Sequence, residues 1–170
     1  RSIARELKYP LVVSNLRLEN QIPWPLHDYQ IRTVEGIKIG IFGIMAPLPK
    51  NQSRLLGLST LDPLSTAQQM ANLLREKGVD YVVALSSLGL ADESRYTNAA
   101  LATEVEGIDL ILSSNQDNET PETEEIGHTW IVYPGSKLDS IGQISLQFDK
   151  NRQLKNTAFK DVALLKDTYG

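Results

Sequence analysis

Two places in this 170-residue chain set small polar side chains directly after an apolar run. They are Ser86-Ser87, after Tyr81-Val82-Val83-Ala84-Leu85, and Ser113-Ser114-Asn115-Gln116-Asp117, after Ile108-Asp109-Leu110-Ile111-Leu112. A buried parallel strand that ends this way delivers polar groups to its carboxyl edge, where open α/β sheets hold their ligands. A serine hydroxyl there is a nucleophile only beside a base, and Asn115 and Asp117 offer oxygens to a hard cation. No base is identifiable next to Ser86, Ser87, Ser113 or Ser114, so a structural role is the preferred reading of all four. Asn115 and Asp117 are expected first as turn formers that satisfy backbone groups, and only second as weak metal candidates. His27 sits among prolines and His128 precedes a β run; each stands alone and reads as an ordinary packed or solvated imidazole. Glu119, Glu122, Glu124 and Glu125 lack the regular Asp/Asn/Gly spacing of a calcium loop and read as a solvated acidic loop. Trp24 and Trp130 read as core or loop cover.

Charge and composition remove several function classes. Lys and Arg number 17 against 21 Asp and Glu, a net charge of −4, and no basic run compensates locally, so a nucleic acid polymer is not an expected partner. The absence of cysteine removes disulfides, zinc–thiolate sites and a thiol nucleophile. No apolar run approaches the ~18 residues of a membrane span, and the amino-terminal residues Arg1 to Pro10 lack the apolar core of a signal peptide. The chain starts without Met; it is expected to be a processed or shortened piece whose leader could lie upstream.

The elements that must position these residues follow from periodicity. Ser2 to Lys8 reads as a short helix and Leu11 to Asn15 as a strand, with an irregular connection over Glu19 to Asp28. Tyr29 to Val34 and Ile37 to Met45 read as a hairpin joined by Glu35-Gly36, a turn that needs positive φ. Ala46 to Leu61 reads as a long surface loop. Asp62 then caps a helix with Pro63 in its first turn, Ala67, Met70, Ala71 and Leu74 on one face, and Gly78 as its terminator. A strand over Val79 to Leu85, a helix over about Asp92 to Val105 closed by Gly107, and a strand over Ile108 to Leu112 complete a β–α–β unit. Its right-handed crossover puts both strand ends on one edge and makes Ser87 and Asn115 neighbours. Asn115 to His128 reads as loop, and Thr129 to Tyr133, Ser140 to Asp149 and Gln153 to Lys166 as an antiparallel meander with turns at Pro134-Gly135 and Lys150 to Arg152. The expected fold class is mixed α/β, one domain over residues 1–170 without a linker.

In this order the segments YPLVVSN, VEGIKIGIFGIMAP, GVDYVVALSSLGL, VEGIDLILSSNQDN and IVYPGSKLDSIGQISLQFDK resemble the carboxyl-terminal half of the metallophosphoesterase domain of the 5′-nucleotidase / UDP-sugar hydrolase family. The resemblance covers nearly the whole chain and implies a four-layer α-β-β-α architecture whose first half lies upstream. It also implies hydrolysis of phosphate esters, mainly nucleotides, by two divalent cations in the periplasm or at the cell surface. Where the family has its ligand histidine in LSHLG, this chain has Ser87; where it has GGHSH, this chain has Ser113 to Asp117. The resemblance therefore implies a site stripped of imidazoles, no cofactor for this chain, and a non-catalytic structural or interaction role in a larger exported protein. A split hydrolase completed by an upstream half through Asn115 and Asp117, and a small domain that binds an anion at its strand ends, are the alternatives. Expected partners are the missing half, another chain, or a second copy that hides apolar sheet surface by self-association.

Overall fold

The computed structural model describes residues 9–18, 26–88, 95–114, 121–134 and 140–164. In chain order the elements are β1 (Leu11–Val12), β2 (Leu16–Leu18), β3 (Leu26–His27), β4 (Tyr29–Val34), β5 (Ile37–Ile44), α1 (Lys50–Leu56), β6 (Leu58–Thr60) and α2 (Pro63–Glu76). They continue with β7 (Tyr81–Ser86), α3 (Asn98–Glu104), β8 (Leu110–Ser113), β9 (Glu122–Ile126), β10 (Thr129–Tyr133), β11 (Ser140–Phe148) and β12 (Leu154–Ala163). The main sheet has the order β4-β5-β7-β8-β10-β9, with β5, β7, β8 and β10 parallel and the two edge strands antiparallel. Four parallel strands therefore end on one edge, and the polar residues after β7 and β8 meet there.

Alternation decides what each face carries. Phe42, Ile44, Val82, Ala84, Ile111, Ile131 and Tyr133 point to the helices, where Leu64, Ala67, Ala71, Leu74 and Leu101 complete the core. Their neighbours Ile39, Ile41, Tyr81, Val83, Leu110, Leu112, Trp130 and Val132 point to the opposite face, where the β11–β12 hairpin lays Ile144, Leu146, Phe148 and Phe159 on them. The ring of Phe148 meets that of Tyr81 edge-on at 5.9 Å. Burial of these side chains, at roughly 25 cal/mol per Å² of apolar area, is the main force joining the layers.

The helix α2 forms as its sequence dictates. Asp62 accepts the Ser65 amide at 2.9 Å, Pro63 opens the first turn, and Gly78 leaves the helix at φ 70°. The β4–β5 hairpin turns through Glu35 and Gly36 at φ 51° and 84°, the two positive values of a tight turn matched to strand twist. The β12 strand, Leu154–Ala163, lies within the strand expected over Gln153 to Lys166.

Five expectations need correction, and the helix expected over Ser2 to Lys8 lies outside the described residues. The meander expected from Thr129 onward is divided: β10 joins the main sheet, parallel to β8 and antiparallel to β9, while β11 and β12 form a hairpin of their own. Leu11 to Asn15 is a strand only at Leu11–Val12, because Ser14 and Asn15 turn inward and use their side chains as backbone partners. The loop expected over Ala46 to Leu61 contains α1, ended by Gly57 at φ 61°, and β6, held by antiparallel pairing with β2. The helix expected from about Asp92 starts at Asn98, where Thr97 in extended conformation caps it by accepting the Ala100 amide at 3.0 Å; residues 89–94 lie outside the described range. The acidic loop expected over Asn115 to His128 includes an edge strand, β9, because pairing with β10 from Glu122↔Tyr133 to Ile126↔Thr129 overrides the low β-propensity of glutamate.

The β1 segment crosses the face opposite the helices at Gly43. A Cβ there would lie 2.1 Å from the Val12 carbonyl oxygen, so only glycine admits the crossing. The Ser14 amide donates to Gly43 O at 2.7 Å and the Val13 amide to His27 O at 3.0 Å, which tie β1 to both β5 and β3.

Candidate functional site

Ser86 and Ser113 are register partners at the ends of β7 and β8, and the Ser114 amide donates to Ser86 O at 2.8 Å. The two strand ends thus meet at Ser86, Ser113 and Ser114; Asn115, the expected neighbour of Ser87, and Asp117 lie outside the described residues. The hydroxyls divide by parity. Ser86 and Ser113 share the helix-facing side with Ala84 and Ile111 and are buried, while Ser87 and Ser114 are exposed at the rim.

Behind the rim a buried asparagine joins both strands to α3. The Ser86 hydroxyl donates to Asn98 Oδ1 at 2.6 Å, Asn98 Nδ2 donates to Ser113 Oγ at 2.9 Å and to Leu88 O at 3.1 Å, and the Leu88 amide donates to Ser86 Oγ at 3.1 Å. Asn98 is fully buried. Tyr133 stands beside it, its hydroxyl held protonated to higher pH chiefly by burial and secondarily by the charge of Glu124. In these bonds neither serine faces a histidine or carboxylate, and the bonds hold the sheet to the helix. Sequence reasoning missed Asn98, an inward polar residue at the first turn of a helix.

A second buried asparagine fixes the end of β5. Asn15 donates to Met45 O at 2.8 Å and accepts the Met45 amide at 3.1 Å. With this bond, the amides of Met45, Ser87, Leu88 and Ser114 all donate internally: to Asn15 Oδ1, Ile44 O, Ser86 Oγ and Ser86 O. An anion site built from amides at this edge lacks its donors among these residues.

Over the strand ends lies an open depression of about 360 Å³, bounded by Val12, Val13, Met45, Leu85, Ser87 and Leu112 among others. Among the described residues its lining holds no imidazole and no carboxylate. Two divalent cations need ligands of that kind, for which neutral hydroxyls are poor substitutes, and no group of three His, Asp or Glu side chains gathers anywhere among the described residues. The described residues do not fit a two-metal centre. His27 is exposed on β3 and His128 is exposed in the β9–β10 turn; Trp130 packs on the hairpin face, and Trp24 and Glu119 lie outside the described residues. Glu122, Glu124 and Glu125 are exposed along β9.

At the opposite end of the strands, Asp109 accepts both the Val82 amide and the Arg75 guanidinium at 2.6 Å. Burial still pushes the Asp109 carboxyl above its ordinary value, against the lowering effect of those two partners.

No family model matches the sequence. The trifunctional nucleotide phosphoesterase protein YfkN of Bacillus subtilis is 24% identical over 170 aligned positions, which take in 84% of this chain and 12% of that protein. The sulfate thiohydrolase SoxB of Thermus thermophilus superimposes with a TM-score of 0.73 at 25% identity, over 92% of this chain and 28% of that one. The calcineurin-like phosphoesterase YfkN structure from Bacillus subtilis gives 0.71 at 17%, over 94% and 57%. The 5′-nucleotidase precursor of Thermus thermophilus gives 0.69 at 16%, over 96% and 35%. Parallel strands ending on one edge, helices on one face and a β hairpin on the other thus define a phosphoesterase-type α/β unit. In fold and in sequence the chain is similar to proteins of the 5′-nucleotidase / calcineurin-like phosphoesterase family. It spans about an eighth of the curated relative and between 28% and 57% of these three solved chains. Among the described residues no helix is long and apolar enough to cross a membrane.

Proposed function

We propose that this chain is a phosphoesterase-family unit that does not hydrolyse phosphoesters by itself and serves as a structural or interaction part of a larger exported protein. The observation that supports this reading is the rim of the strand-end depression: an exposed Ser87 hydroxyl stands where the resemblance implies a ligand histidine, and among the described residues the lining carries no charged or imidazole side chain. The residues 1–170 are read as one incomplete domain, and the chain needs no cofactor in this role. Export is supported by the name of the Thermus relative, a nucleotidase made as a precursor.

The test is elemental analysis of the purified chain, titration with Mn²⁺ and Zn²⁺ at neutral pH, and turnover of bis-p-nitrophenyl phosphate and AMP. The expected result is no stoichiometric metal, no binding tighter than about 1 mM, and no turnover. Tight binding abolished by Asp117→Ala, together with turnover, would overturn the proposal in favour of a hydrolase completed by Asn115 and Asp117.

A further inference from the structure

The two faces of the main sheet are covered by layers of very different strength. Under the helices the core has sixteen buried side chains; under the β11–β12 hairpin it has four, Tyr81, Val83, Leu110 and Val132. No residue of β11 or β12 is itself buried: Ile144, Leu146, Phe148 and Phe159 reach the sheet and stay partly exposed. The hairpin is a two-stranded sheet of its own, and among the described residues no backbone hydrogen bond joins it to the six-stranded one. Its polar attachments among those residues are a side-chain hydrogen bond between Thr157 and Tyr81 and a loose ion pair, Arg152 to Asp80 at 3.9 Å. Arg152 sits at φ 61°, so the turn that carries this ion pair is also strained.

We propose that the β11–β12 hairpin is a strap that lifts from the sheet as one unit while the six-stranded sheet and its helices stay folded, so that the face of Tyr81 and Val83 is alternately covered and open. Stability within a domain follows the local density of buried apolar contacts, and a unit with few of them opens at lower free energy than the whole. Inside the hairpin the pairing runs unbroken from Ser140↔Ala163 to Gln147↔Asn156, so the two strands move together. Toward the sheet only side chains must part. Once lifted, a two-stranded hairpin is marginally stable in water, so its own amides lose protection with it. The helix layer is bound more closely. Asn98 ties α3 to β7 and β8, and Arg75 ties α2 to Asp109 at the head of β8. The proposal goes beyond the reading of the chain as a non-catalytic part and does not depend on it.

The chain has no cysteine, so a single introduced thiol reports its own exposure. Val83 and Ala84 are neighbours on β7, the first under the hairpin at 7% exposure and the second under the helices at 0%. Val83→Cys and Ala84→Cys are made one at a time in the full chain. Labelling by a maleimide dye is followed in urea below the unfolding midpoint, where its rate is proportional to dye. The Val83→Cys thiol should label about a hundredfold faster than the Ala84→Cys thiol, with a weaker dependence on urea because less surface opens. Asn98→Ala, which loosens only the helix layer, should speed labelling at Ala84→Cys about tenfold or more and leave Val83→Cys unchanged. Phe159→Ala should speed both about tenfold, since the hairpin contact is lost in either opening. Equal protection of the two thiols, Asn98→Ala speeding both alike, or Val83→Cys indifferent to Phe159→Ala would overturn the proposal. Hydrogen exchange of the unsubstituted chain gives a second reading that needs no variant to fold. The amides of β11 and β12 should share one opening free energy below that of β7 and β8, and a common value for all four strands would overturn the proposal.

Discussion

Replacing Asn98 by alanine is the perturbation that best separates a structural from a chemical role for the strand-end serines. Asn98 Oδ1 is an acceptor for Ser86, and its Nδ2 supplies donors to Ser113 Oγ and Leu88 O, all in a fully buried position. Alanine removes all three partners without providing water in exchange. A buried polar group stripped of a partner costs about 1–3 kcal/mol, and taking the low end for each group gives about 3 kcal/mol for the set. In a chain of this length that corresponds to a fall in Tm of about 6–12 °C. Urea titration followed by far-UV circular dichroism, with a thermal scan beside it, reads the loss directly. The companion triple variant Ser86→Ala, Asn98→Leu, Ser113→Ala makes the cluster apolar and should recover half the loss or more, since removing both partners is far cheaper than removing one. Ser87→Ala, at the exposed rim, should change stability by less than about 0.5 kcal/mol. A loss below about 1 kcal/mol for Asn98→Ala, or a triple variant no more stable than the single one, would refute this account of the network.

Gly43→Ala should drive its Cβ against the Val12 carbonyl and cost about 3 kcal/mol or more, read as a lower urea midpoint. For Asp62, the Ser65 amide and then the Tyr96 hydroxyl hold the carboxyl below its ordinary value. Its contribution is therefore present above the unfolded value near 4 and is lost as pH falls through the lower folded value. Asp62→Ala should cost about 1 kcal/mol at neutral pH, and acid melts should show that difference shrinking below about pH 4. Asp109 has the opposite sign: burial, its leading influence, raises the carboxyl, so its contribution to stability grows in acid and is lost as pH rises through the folded value. Arg75→Met removes its counter-charge and should cost on the order of 1 kcal/mol at neutral pH, with the penalty diminishing as the medium is acidified.

Elements whose signals are local were legible in the sequence. Glu35-Gly36 dictates its turn through backbone sterics, and Asp62, Pro63 and Gly78 mark α2 from both ends. The apolar runs before Ser86 and Ser113 could only be buried strands. What stayed hidden depends on partners distant in the chain. Helix α1 buries none of its residues and leaves Leu55 85% exposed, so no amphipathic period betrays it. Strand β9 has the composition of a solvated loop and becomes a strand only because β10 accepts it. At the site, the readings of Ser86 and Ser113 as structural had a signal available in parity, since both fall on the side of Ala84 and Ile111. The reach of Asn98 to them, across 12 and 15 residues of sequence, had none.

The acidic strand β9 has a consequence for how the protein behaves in bulk. The strand is the margin of a six-stranded sheet, the kind of position on which further chains can stack into fibrils. Glu122, Glu124 and Glu125 lie within its five residues and are exposed. An in-register neighbour would bring each carboxylate within about 5 Å of its twin, so charge repulsion blocks growth from that side. Glutamates that take no part in any proposed chemistry thereby work against ordered stacking on this margin.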